Sequence, residues 1–224
     1  MPTPTVVLLD VNETISNMEP LRRRFEEIGA PGDLLSTWFA STLRDGFALT
    51  AAGAYADFRS VASAALRTIF ARVEGLARSP SDGADHVIAG LGELQLHSDV
   101  ADGLRLLREA DVRTATLTNG SAEQTQRLLE RGGVLSLVER TLSADAVSRW
   151  KPAAEPYLYA CRELDVAPER AALIAAHPWD VGGAKWAGLF GGWLNRSGDE
   201  YPEPFPQPDA VGDTLESVGR ALLE

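Results

Sequence analysis

Residues 6–14 read Val6-Val7-Leu8-Leu9-Asp10-Val11-Asn12-Glu13-Thr14, an aliphatic run that ends in an acid and a polar turn. A continuous Val/Leu run has no polar face, which fits a central parallel strand covered by helices on both sides. Asp10 then stands at the carboxyl end of that strand, on the rim where open α/β sheets place their ligands. On this stretch alone, an Asp that merely caps the next turn is equally consistent.

Working outward, the downstream chain alternates strand-like and helix-like stretches: 112–117 and 122–131, 140–142 and 155–164, 171–175 and 181–187, then a last strand at 191–194. Repeated β-α units imply a parallel sheet with helices on both faces. Between the first strand and this rhythm, residues 18–80 show helical stretches at 20–27, 34–44 and 55–73 but no strand signal. The expected fold class is therefore α/β, a doubly wound parallel sheet (a Rossmann-like core) of residues 1–16 and 96–224, with a helical cap domain of residues 17–95 inserted after the first strand. Residues 201–208 are proline-rich and read as an extended surface segment before an amphipathic helix at 213–223.

Bulk properties agree with this organisation. A chain of 224 residues can build a large core with a smaller companion, and 45% hydrophobic content argues for a folded globule. A net charge of −11 disfavours nucleic acid and anionic membranes as partners. It leaves small anionic substrates that meet a local positive site, and it is compatible with a homodimer. Cys161 is the single cysteine and has no metal-ligand spacing around it, so neither an internal disulfide nor structural zinc is expected. No apolar run approaches the ~18 residues of a membrane span, and no basic-then-apolar leader opens the sequence; the expectation is a cytoplasmic protein.

Polar residues gather where the expected strands end. Thr118-Asn119-Gly120-Ser121 follows one strand, Trp150-Lys151-Pro152 lies beyond the next, and His177-Pro178-Trp179-Asp180 follows a third. Each has an ordinary reading alone: residues 118–121 and Asp180 as helix caps, Lys151 as a surface lysine. In a parallel doubly wound sheet, however, Asp10, Thr118, Lys151 and Asp180 arrive at one rim.

That order, Asp10-x-x-x-Thr14, then Thr118-Asn119-Gly120-Ser121, then Lys151-Pro152, then an acid after the next strand, resembles the haloacid dehalogenase superfamily of hydrolases. More narrowly it resembles the 2-haloacid dehalogenases, through Tyr157 six residues after the lysine, Trp179-Asp180, and Trp193-x-Asn195-Arg196-x-Gly198. The resemblance implies covalent catalysis, with Asp10 attacking an electrophilic centre to give an ester. It also implies that Lys151 offsets the repulsion between two approaching anions, that Thr14 and Thr118 orient the carboxylate, and that Asp180 or His177 positions or deprotonates the hydrolytic water. Asn12, Asn119, Tyr157 and Trp179 are the substrate-side residues expected from the core.

Departures from the pattern choose among branches. Phosphatases of the superfamily carry an acid two residues after the nucleophile and another four residues before the position of Asp180. Here those positions are Asn12 and Ala176. Neither can donate a proton, and magnesium prefers a full shell of hard oxygens. No cofactor is therefore expected; magnesium belongs only to the phosphatase alternative. Other departures concern the substrate. Dehalogenases carry Tyr-Gly where this chain has Asn12-Glu13, an arginine after a cap tryptophan where Phe39 follows Trp38, and an asparagine where His177 stands. Trp38 and Phe39 are expected to roof the site, with Arg44 as the nearest cation; packing within the cap and a plain surface arginine are the competing readings. Three functions are thus ranked: a metal-independent hydrolase of small 2-haloacids, a magnesium-dependent phosphatase, and a non-catalytic binding protein.

Overall fold

The computed structural model describes residues 3–224. The chain begins with β1 (Val6–Leu9), all four residues buried, turns, and passes through the two-residue strand β2 (Ser16–Asn17). Four helices follow: α1 (Leu21–Glu26), α2 (Leu34–Ala51), α3 (Phe58–Phe70) and α4 (Pro80–Gly90). A short β3 (Gln95–Leu96) leads to α5 (Val100–Glu109), β4 (Arg113–Thr118), α6 (Ala122–Arg131), β5 (Arg140–Ser143) and α7 (Ala154–Glu163). The chain ends with β6 (Ala171–Ala175), α8 (Pro178–Trp186), β7 (Phe190–Leu194), β8 (Ala210–Gly212) and α9 (Leu215–Leu223). It divides into two compact units, Met1–Ser16 with Leu96–Glu224, and Asn17–Gln95.

The first unit is built on a six-stranded sheet in the order β5-β4-β1-β6-β7-β8, with every pairing parallel. β1 is central: Val6 sits opposite Arg113 of β4 on one side and Ala171 of β6 on the other. Its alternate side chains go to opposite faces, which is why all of them must be apolar. Val7 and Leu9 join Leu104, Leu107, Val218 and Leu222 in one layer, while Val6 and Leu8 join Tyr157, Ala160, Cys161 and Val181 in the other. Sequence order runs outward from β1 through β4 to β5 and then resumes at β6, so the carboxyl end of β1 lies at the topological switch point.

The second unit is helical. Trp38 and Phe70 both pack on Phe25, with ring centroids 6.0 and 5.6 Å apart, and all three rings are buried. The Trp38 indole N–H donates to the Ala62 carbonyl at 2.9 Å. Burying each such side chain contributes on the order of 1.5–3 kcal/mol, so this cluster is the energetic centre of the unit. α2 runs on to Ala51, past the end of the stretch that the sequence marked at residue 44.

Five elements went unmarked in the sequence: the short strands β2, β3 and β8 and the helices α4 and α5. α4 contains Pro80, Gly83 and Gly90, which read as breakers, yet proline fits the first helical turn and the Ser79 side chain caps the Asp82 amide. Gly103 interrupts the apolar pattern of α5 because a Cβ there would meet Leu215 Cγ of α9 at 2.5 Å. α8 starts at Pro178, three residues before the expected 181, which moves Asp180 from a cap into the first turn. No helix among the described residues is long and apolar enough to cross a membrane.

Candidate active site

The loops after β1, β4, β5 and β6 bring a buried charge network to the rim of the sheet. Asp10 directly follows β1, and its amide continues the ladder by donating to Ile174 O at 3.0 Å. Its carboxylate Oδ1 accepts from Lys151 Nζ at 2.8 Å. The same ammonium donates to Asp180 Oδ2 at 2.6 Å and to the Leu117 carbonyl at 2.8 Å, so all three of its hydrogens are engaged. Lys151 and Asp180 have no exposed side-chain surface. Charges buried this deeply persist only when paired and hydrogen-bonded, as they are here.

Lys151 is held from behind. The Asn119 carboxamide accepts from the Lys151 amide at 2.8 Å and donates to its carbonyl at 3.2 Å, a two-point clamp between the loops after β4 and β5. Ser143 Oγ donates to Gly120 O at 2.7 Å and ties the same loops again. Asp180 Oδ1 accepts from the Tyr157 hydroxyl at 2.6 Å. This contact requires α7 and α8 to lie close, and Gly183 permits it: a Cβ there would meet Tyr157 Oη at 2.5 Å.

The other face of Asp10 is more open. Thr14 Oγ1 donates to Asp10 Oδ2 at 2.6 Å and accepts from the Ala176 amide at 2.9 Å, which couples the loops after β1 and β6. His177 Nδ1 lies 3.6 Å from Asp10 Oδ2, and its Nε2 lies 2.8 Å from Glu13 Oε2. The turn is secured by Arg196, which donates to the Thr14 carbonyl at 3.1 and 2.9 Å and forms a two-pronged ion pair with Asp99 at 3.0 and 3.1 Å.

Burial opposes ionisation of Asp10, but Lys151 and His177 outweigh it and hold the carboxyl well below the usual carboxylate range. Burial likewise opposes charge on Lys151, and the two carboxylates overcome it, leaving the ammonium raised. Asp180 is raised, first by burial and then by the neighbouring Asp10 charge, which together exceed the pull of Lys151. Burial also opposes charge on His177, yet its contacts with Asp10 and Glu13 raise it to about 9. The site thus holds an ionised Asp10, a more basic Asp180 and two cations.

Several expected residues have other partners. Thr118 Oγ1 accepts from the Gly120 amide at 2.9 Å instead of serving Asp10, so it shapes the turn. Asn119 and Tyr157, expected on the substrate side, face Lys151 and Asp180; Tyr157 is fully buried. Trp179 stacks on His177 at 5.3 Å, and Asn12 forms an isolated bridge with Ser16. In the helical unit Trp38 belongs to the apolar core, Phe39 is buried, and Arg44 is exposed and paired with Asp45 at 2.8 Å. Sequence reasoning passed over Asp99 and named Glu13 and Arg196 without giving either a role. Glu13 left one trace, standing where dehalogenases carry glycine, and its φ of 62° shows why glycine suits that position.

A buried carboxylate at the switch point of a doubly wound sheet, paired with a buried lysine, defines a hydrolase-type core. Residues 5–188 match the family model of haloacid dehalogenase-like hydrolases, and the chain belongs to that family. It is 30% identical over 193 residues to (S)-2-haloacid dehalogenase 4A of Burkholderia cepacia, covering 86% of this chain and 80% of that one. It is also 30% identical over 191 residues to validoxylamine A 7'-phosphate phosphatase of Streptomyces hygroscopicus subsp. limoneus, covering 83% of each. Among solved structures, the L-2-haloacid dehalogenase of Xanthobacter autotrophicus superposes with a TM-score of 0.85 and 25% identity over 97% of both chains.

Proposed function

We propose that this hydrolase displaces halide from a small 2-haloacid without a metal ion, using Asp10 as nucleophile. One observation carries the reading: Lys151 bridges Asp10 and Asp180 in full burial, keeping Asp10 ionised beside a second, more basic carboxylate. A carboxylate oxygen of Asp10 forms a bond to C2 as the carbon–halogen bond breaks, and the halide leaves with the electron pair. Water then adds to the ester carbonyl of Asp10, releasing the 2-hydroxyacid and restoring the carboxylate, with Asp180 as acceptor of the water proton. His177 is unsuited to that second role, since its two carboxylate neighbours keep it protonated. The absence of a cofactor and the specificity role of the helical unit are part of the same proposal.

The similarity to a phosphatase makes magnesium the alternative to weigh, and the residues present do not fit it. Both oxygens of Asp180 are engaged, one by Lys151 and one by Tyr157, and position 176 offers only a methyl group. Asn12 cannot protonate a leaving alkoxide.

The decisive assay sets short 2-haloacids beside phosphate monoesters, with and without a chelator. Hydrolysis of the haloacids unaffected by chelation is expected; strong magnesium-dependent phosphatase activity would overturn the proposal. Single turnover in 18O-labelled water should put label into the Asp10 peptide, whereas label confined to the product would show direct attack by water. Asp10→Asn should abolish turnover while the fold persists.

A further inference from the structure

The stretch Trp193-x-Asn195-Arg196-x-Gly198 has no task in the proposed chemistry, yet its residues reach both loops that meet at Asp10 Oδ2. The Trp193 indole N–H donates to the Ala176 carbonyl at 3.0 Å. Arg196 donates from Nε and Nη2 to the Thr14 carbonyl at 3.1 and 2.9 Å. Between these two anchors the Ala176 amide donates to Thr14 Oγ1 at 2.9 Å. Asn195 folds the segment itself, its side-chain oxygen accepting from the Gly198 and Asp199 amides at 3.0 Å each.

The central contact decides where the Thr14 proton goes. An amide N–H can only donate, so Thr14 Oγ1 is the acceptor toward Ala176 and its single hydrogen is left for Asp10 Oδ2, 2.6 Å away. The backbone just before it is strained. Glu13 has φ 62°, a left-handed conformation that persists only where the surroundings enforce it. Arg196 supplies such enforcement at the next residue, and it is itself pinned. Its Nη1 and Nη2 donate to the two Asp99 carboxylate oxygens at 3.0 and 3.1 Å, and the two side chains are only 20% and 15% exposed. Asp99 Oδ2 also accepts from the Leu215 amide, at the start of α9, at 2.7 Å. A planar guanidinium can fork onto a carbonyl and a carboxylate at once, whereas a lysine ammonium is a point charge.

We propose that Arg196, seated by Asp99, is a positioning residue for the nucleophile: by fixing the Thr14 carbonyl it keeps the Thr14 hydroxyl on Asp10 Oδ2 and so aims the attacking carboxylate. The proposal rests on the reading of Asp10 as nucleophile. In this role Arg196 acts on turnover and not on substrate binding.

Steady-state kinetics with 2-chloropropionate compare the full-length wild type, Arg196→Lys, Thr14→Val and Thr14→Val/Arg196→Lys, with circular dichroism confirming the fold. Arg196→Lys keeps the charge beside Asp99 and loses the two-pronged grip on Thr14. Its kcat should fall about tenfold to a hundredfold, as for a misaimed nucleophile, while KM stays within about twofold. The double variant should be no slower than Thr14→Val, because the two residues act in series. Amide NMR reads the same contact without turnover. The Ala176 N–H should move upfield and exchange faster in Thr14→Val, and Arg196→Lys should shift it the same way. Should Arg196→Lys not fold, Asp99→Asn, which weakens the seat of the guanidinium, takes its place in both readouts.

Unchanged kcat in Arg196→Lys, a rise in KM at constant kcat, additive losses in the double variant, or an Ala176 amide that Arg196→Lys leaves unmoved would overturn the proposal. If the wild type does not hydrolyse 2-chloropropionate while the Ala176 amide responds to Arg196→Lys, the dehalogenase reading falls and the hold of Arg196 on Thr14 stands. Turnover with both kcat and the amide indifferent to Arg196→Lys would sink this inference and leave the dehalogenase reading in place.

Discussion

The two flanks of Asp10 are built on different physical terms. On the Oδ1 side, Lys151, Asp180 and Tyr157 have no exposed side-chain surface or nearly none, and every charge has a partner within 2.8 Å. On the Oδ2 side, Thr14 and His177 lead outward to Glu13, where water screens the charges. Water can replace a missing partner on the outer flank but not on the inner one. Substitutions inside should therefore be severe and coupled, and those outside graded.

Lys151→Met breaks the inner flank most directly, because it leaves two buried carboxylates without their cation. Loss of turnover and destabilisation of about 3–5 kcal/mol in urea unfolding are expected. A stable, active variant would erase the distinction between the flanks. Tyr157→Phe is milder, removing one donor from Asp180 Oδ1 at a cost of about 1–3 kcal/mol, read by the same titration. A loss as large as that of Lys151→Met would show that the tyrosine carries more of the network than its single bond suggests.

The outer flank is sharpened by pH. Because His177 is raised from 6.5 to about 9, the stability it confers is complete below about 6.5 and is lost as pH rises through about 9. Thermal melts across that window should fall for the wild type, and His177→Asn should lack that component. Equal alkaline losses in both proteins would mean that the ring is not held as a cation. The smallest effect is expected at Arg44→Ala in the helical unit, where the side chain is 71% exposed and paired only with Asp45. Stability and KM should both stay unchanged, and a large rise in KM would bring this residue into the site.

Much of the fold was legible because periodicity encodes burial. Strands covered on both faces must be continuously apolar, as in Val6–Leu9 and Ala171–Ala175, and an amphipathic helix such as Ala122–Arg131 displays its capping serine and its period together. α4 and α5 were hidden because their glycines answer to neighbours in space, Phe70 for Gly83 and Leu215 for Gly103, which no local pattern records.

By itself the sequence determined the parallel core, the helical insertion and the gathering of Asp10, Lys151 and Asp180 at one rim, since strand direction alone carries residues at strand ends to the same edge. Only the tertiary structure decided how those groups are used. Asn119 clamps Lys151, Thr118 turns back to Gly120, Tyr157 reaches Asp180, and Glu13 grips His177 164 positions away in the chain. Hydrogen bonds act within about 3 Å whatever the separation along the chain, so their partners become known only when the loops have met.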